Sequence, residues 1–148
     1  MSKLANIQKI LYRVRQHDNK VSELYADIQK QNSIRVKQNL FRYLGIELQQ
    51  VEIEFYGKIA QHEYEKNRIF VEHARILLEN LFAANNKSGF FERVFFEKKM
   101  AELWFNVTYN CCAFGFFSLH HFNSSLLSYH KPLSVVEKAK FITKSIFL

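Results

Sequence analysis

Turn residues are nearly missing from this chain: four glycines and one proline serve 148 residues. Every reversal in a sheet or an irregular fold calls for residues that accept turn geometry. A chain this poor in them has few reversals, and long helices meet that condition. Cysteine is as scarce, with Cys111 and Cys112 adjacent in sequence and no others. Neighbouring cysteines strain the peptide between them if they bond to each other. A disulfide framework is therefore excluded, which favours a reducing compartment.

Motifs that carry chemistry are also missing. There is no G-x-S-x-G elbow, no P-loop and no dinucleotide fingerprint, and Gly45, Gly57, Gly89 and Gly115 stand alone. No loop is thus equipped to cradle a phosphate. The carboxylates of the middle of the chain alternate with Lys and Arg at helical spacing, as solvated ion pairs do. Cys111, Cys112, His120 and His121 are zinc-type ligands, but tight sites space them as C-x2–4-C and H-x3–5-H so that both members turn inward. Adjacent pairs do this poorly, so no metal and no cofactor is expected, and the chain does not read as an enzyme.

Formal charge disappears from Leu103 to His130. A membrane span needs about 20 mostly apolar residues. Asn106, Thr108, Asn110, Ser118, His120, His121 and Asn123 interrupt this stretch. It reads as a buried segment or an apolar contact surface, and no transmembrane span is expected.

What the chain does have is apolar material and positive charge. It is 48% hydrophobic and carries a net charge of +7, enough for a sizeable core. The excess sits at the ends: 9 Lys/Arg against 4 Asp/Glu in residues 1–50, 8 against 9 in 51–102, and 4 against 1 in 103–148. Such a balance suits nucleic acid, an anionic membrane or an acidic partner, and equally an ordinary solvated surface.

Periodicity is helical throughout. Leu4, Ile7, Leu11 and Val14 share one face, with Lys9, Arg13 and Lys20 behind; Asn32 and Ser33 suggest a boundary. From Leu40 to Tyr56 the residues alternate well enough for a hairpin. A single helical face nevertheless collects more of them (Leu40, Phe41, Leu44, Leu48, Val51, Phe55), so the spacing predicts a helix. Arg68 to Ala84 is the clearest helix. Its broad apolar face is set against a thin polar stripe, Arg68, Glu72, Arg75 and Glu79, whose charges alternate as attractive pairs. Asn85 to Gly89 reads as a loop and Phe90 to about Asn110 as the next helix. Pro132 suits a first helical position, and Ser134 with Glu137 forms a capping-box pattern. The last helix gathers Val135, Val136, Ala139, Ile142 and Ile146 on one face, opposite Lys140 and Lys144.

The fold expected is all-α, a bundle of four to six helices, some long, with coiled-coil-like packing. Residues 1–148 form one domain, divisible at most into long amphipathic helices over 1–84 and a Phe-rich part with a basic C-terminal helix over 85–148. Nine of the fifteen Phe lie in 90–122, a surplus that such a bundle does not readily bury. The expected function is that of an adaptor, inhibitor or complex subunit, binding a protein partner or a second copy. The contact residues would be Trp104, Phe105, Phe114, Phe116, Phe117 and Phe122. The alternative is nucleic-acid binding through Lys9, Arg13, Lys20, Lys30, Arg35, Lys37 and Arg42. Attachment to a membrane surface by the C-terminal basic helix is a third class. The expected location is cytoplasmic. The basic, acid-free run 1–17 also fits a mitochondrial presequence, and a basic nucleic-acid binder would be nuclear.

Overall fold

The computed structural model describes residues 25–111 and 116–147. Among them there are helices and no strands. They are α1 (Ala26–Tyr43), α2 (Gln50–Ala60), α3 (Arg68–Ser88), α4 (Arg93–Asn110), α5 (Phe116–Ser124), a 3-10 turn (Leu126–His130) and α6 (Val135–Phe147). The protein is an all-α helical bundle.

Local chemistry explains the boundaries, several of which depart from the sequence pattern. α1 runs straight through Asn32 and Ser33. The helix predicted over 40–56 is broken at residues 44–49. Gly45 adopts φ +77°, its N–H donates to the Arg42 carbonyl, and the Ile46 N–H reaches back to the Phe41 carbonyl. These two bonds make a Schellman motif, for which a left-handed residue is required. Ile46 then packs on the core that holds Phe41. The chain re-enters a helix where the Glu52 carboxylate accepts the Gln49 N–H at 2.8 Å. α2 ends by the same device without glycine. His62 sits at φ +62°, with Glu63 N–H donating to the Lys58 carbonyl and the His62 Nδ1 2.6 Å from the Tyr64 hydroxyl.

α3 starts at Asn67, whose Oδ1 accepts the Phe70 N–H at 2.6 Å, satisfying one orphan donor of the first turn. It extends through residues 85–88, expected as loop, and stops at Gly89, φ +64°. The turn beyond is templated by Asn85, which is buried. Its Oδ1 accepts the Phe91 N–H at 2.8 Å and its Nδ2 donates to the Phe91 carbonyl at 3.2 Å. α4 begins at Arg93, three residues later than the pattern suggests, because Glu92 caps it: its two carboxylate oxygens accept the N–H groups of Val94 and Phe95. Pro132 lies in the loop before α6, not in its first turn. The Ser134 box is formed, with the Ser134 Oγ accepting the Glu137 N–H and the Glu137 carboxylate accepting the Ser134 N–H.

α3 and α4 form the heart of the bundle. Val71, Ala74, Leu78 and Leu81 of α3 face Met100, Trp104 and Val107 of α4, all of them buried, with Ile53 and Ile59 of α2 in the same core. The polar stripe of α3 turns to neighbouring elements: the Arg68 guanidinium lies 5.0 Å from the Phe117 ring centre, and Glu79 accepts the Ser125 hydroxyl at 2.7 Å. The C-terminal third is tied on by rings. Phe141 of α6 is buried among Phe105, Tyr109 and Phe122.

Candidate functional site

The aromatic residues expected to form a contact surface do not share one environment. Trp104 is 0% exposed and Phe122 2%. Both are core, packed under α6 or against α3, and this burial takes them out of any surface. Phe105 is half-buried in the α4–α5–α6 ring cluster, where the Lys131 ammonium lies 4.8 Å from its ring centre. Phe117 is half-buried beneath Arg68 and lies tilted against His121, with ring centres 4.1 Å apart. Phe116, at 61%, is exposed. Phe114 lies outside the described residues.

Besides Phe116, the exposed rings of the Phe-rich stretch that the structure describes lie at its start. Phe90 and Phe95 face outward, the latter 71% exposed, as does Val94 between them. Phe90 stacks on Tyr43 at the end of α1, with ring centres 5.3 Å apart and planes within 4°. Tyr43 continues a stripe along α1 made by Val36 and Leu40, all three exposed. Their spacing puts them on one helical face, turned away from Phe41 and Leu44, which carry the core side. Glycine 45 and the Asn85-templated turn thus bring a helix end and a loop together to make one apolar ridge. The sequence signal is faint, because Leu40 and Tyr43 alternate with the core residues Phe41 and Leu44.

The basic residues of α1 divide into two pairs. Lys30 and Lys37 face α2: the Lys30 ammonium lies 3.6 Å from Glu54, and Lys37 passes close over Gly57. The Glu54 carboxyl is held below its ordinary value, first by the hydrogen bond from the Gln50 amide and then by Lys30. Arg35 and Arg42 are exposed on another face, next to the Val36–Tyr43 stripe. The four do not form a single positive face, and Lys9, Arg13 and Lys20 lie outside the described residues, as does the first amphipathic segment.

Cys111 is buried, and its Sγ approaches the Glu65 carbonyl at 3.6 Å. The Tyr64 hydroxyl beside it is pushed up to about 12, first by burial and then by Cys111. Cys112 lies outside the described residues. His120 is exposed and His121 is half-buried against Phe117. Among the described residues no group of three His, Cys, Asp or Glu could hold a metal ion. None of the helices described is long and apolar enough to cross a membrane.

No protein-family model, no curated protein and no solved structure matches the chain.

Proposed function

We propose that this chain is a non-enzymatic interaction protein that binds another protein through the ridge of Val36, Leu40, Tyr43, Phe90 and Phe95. One observation carries the reading: the stacked Tyr43–Phe90 pair joins an outward apolar stripe of α1 to an exposed ring of the loop before α4, a few residues ahead of the exposed Phe95. Continuous apolar surface of this kind is uncommon on soluble monomers and marks contact sites. Tyr, Phe and Arg are also the residues enriched at interface centres, and Arg35 and Arg42 border the stripe. The partner that fits is a protein with an apolar helix or strand and acidic residues along one edge.

The test is affinity capture from native lysate, with nuclease present, using the full chain and a Tyr43→Asp/Phe95→Asp variant. Both positions are exposed, so the variant should keep its fold. A protein retained by the wild type and lost by the variant supports the reading. Equal capture by both, or recovery that nuclease abolishes, would transfer the function to another surface or to nucleic acid.

A further inference from the structure

α6 is docked by the side opposite its apolar stripe. Phe141 and Ser145 are buried against the rest of the molecule, while Val135 (84% exposed), Val136, Ala139 and Ile146 (57% exposed) face away from it, and Ile142, 40% exposed, stands at the edge of the stripe beside Leu119 and Phe122. At about 100° per residue the outward stripe spans an arc of about 120°. Lys138 lies about 40° beyond one edge and Lys140 about 40° beyond the other, and both are exposed. The helix has one acid, Glu137, on its inward half, and that carboxylate is already taken by Ser134 and by Lys131 at 3.3 Å. From Leu103 to the end of the chain, four lysines face this single glutamate.

A protein groove covering this stripe would need apolar walls and acidic residues on both rims. An anionic bilayer offers that arrangement everywhere: acyl chains below, phosphates at one level on either side. Lysine stems can lie along the apolar boundary while their ammonium groups reach the headgroups. A helix of 13 residues is too short to span, since a span needs about 20, but it is long enough to lie in the interface plane. We infer that α6 docks flat on an anionic phospholipid surface, with Val135, Ala139, Ile142 and Ile146 immersed and Lys138 and Lys140 on the headgroups. This surface is on a different helix from the Tyr43–Phe90 ridge and stands or falls without it.

The experiment is flotation of the full chain with phosphatidylcholine vesicles, with and without phosphatidylserine. The wild type should float with the phosphatidylserine vesicles alone, and less so as salt is raised. Val135→Asp/Ile142→Asp should abolish flotation with circular dichroism unchanged. Lys138→Glu/Lys140→Glu should weaken it by at least about tenfold, since each basic residue near such a surface contributes about fivefold. In Ile142→Trp the new indole should shift to the blue on vesicles and be quenched by brominated acyl chains, over the constant background of buried Trp104. That signal decides the matter should the aspartate variant lose helicity. The inference is overturned if the wild type stays in the aqueous phase. It is also overturned if flotation survives Val135→Asp/Ile142→Asp, which would assign it to bases elsewhere in the chain. A concentration-dependent dimer that Ile142→Asp abolishes, without vesicle binding, would overturn it by making a second copy the occupant.

Discussion

α3 and α6 carry equally clear amphipathic patterns and meet opposite fates. In α3 the face that periodicity selects is the face that is buried: Phe70, Val71, Ala74, Leu77, Leu78 and Leu81. In α6 the selected face is the one left outside, and the helix is held by Phe141 and Ser145. The difference lies in the partner. α3 is packed against α4 along much of its length, and its broad apolar face meets another. α6 meets a pocket of rings, Phe105, Tyr109 and Phe122, which one aromatic side chain fills. A Phe ring buries about 150–250 Å², more than the Val and Ala of the stripe can offer in the same socket. Periodicity names a face; the shape of the neighbour decides which face is used.

Core truncations test this contrast with the largest effects. Leu78→Ala in α3 should cost about 2–5 kcal/mol, and Phe141→Ala in α6 about 3–5 kcal/mol. Ile142→Ala, at the half-exposed edge of the stripe beside Phe141, should cost no more than about 1 kcal/mol. Urea unfolding of the three variants measures it. A loss for Ile142→Ala comparable to that for Phe141→Ala would mean that α6 is docked by its stripe after all.

The same contrast shows what can be read from sequence. α3 is legible because its apolar period repeats over several turns. The Ser134–Glu137 box is legible because both of its bonds lie within four residues. Gly45 is misleading: inside an apolar period it looks like a tolerated helix glycine, costing about 1 kcal/mol. In fact it is the stop, with Phe41 and Ile46 as the hydrophobic pair that accompanies a Schellman turn. The rings are least legible. Trp104, Phe116 and Phe122 share an uncharged stretch, yet only the tertiary arrangement separates two core residues from one exposed one. The Tyr43–Phe90 stack joins residues far apart in the chain, so no local spacing announces it.

Asn85 sharpens the comparison at the exit of α3. It is an isolated polar residue in the core, satisfied only by the Phe91 backbone. Asn85→Ala should leave that N–H and carbonyl without the Asn85 side chain in a part-buried site and cost about 1–3 kcal/mol. It should also loosen the turn that presents Phe90. Amide exchange at Phe91 should then rise above that at Leu78. Unchanged protection at Phe91 would show that the turn holds without its template.

The entrance of α6 yields a smaller effect. Ser134→Ala removes the cap and should cost about 1 kcal/mol, with fraying confined to the first turn. Glu137, which accepts from the Ser134 backbone and hydroxyl and then from Lys131, has its carboxyl depressed to about 2 from an ordinary 4.5. A depressed carboxyl contributes stability that is complete above its unfolded value and is lost as pH falls towards the folded one. The helix start should therefore weaken between pH 4.5 and about 2, and Glu137→Gln should remove that dependence. Chemical shifts of residues 135–138 followed across this window report it directly.

The smallest expected effect sits where α3 meets α5. His121 is half-buried, its Nδ1 has no hydrogen-bond partner among the described residues, and the nearby Arg75 Nε is in the same condition. Burial first, and then the positive charge of Arg75, lower the imidazole below its ordinary 6.5, with Glu72 pulling the other way. A histidine lowered by folding binds its proton more readily when unfolded. Stability is therefore intact above the unfolded value and declines as pH drops through 6.5 towards the folded value. This window lies above that of Glu137, so the two can be separated in one titration. Denaturant unfolding at pH 7.5 and pH 5.5 should show a loss in the wild type that His121→Gln reduces. If the variant loses as much as the wild type, the proton is taken up elsewhere, and the α3–α5 contact is not what makes this molecule sensitive to mild acid.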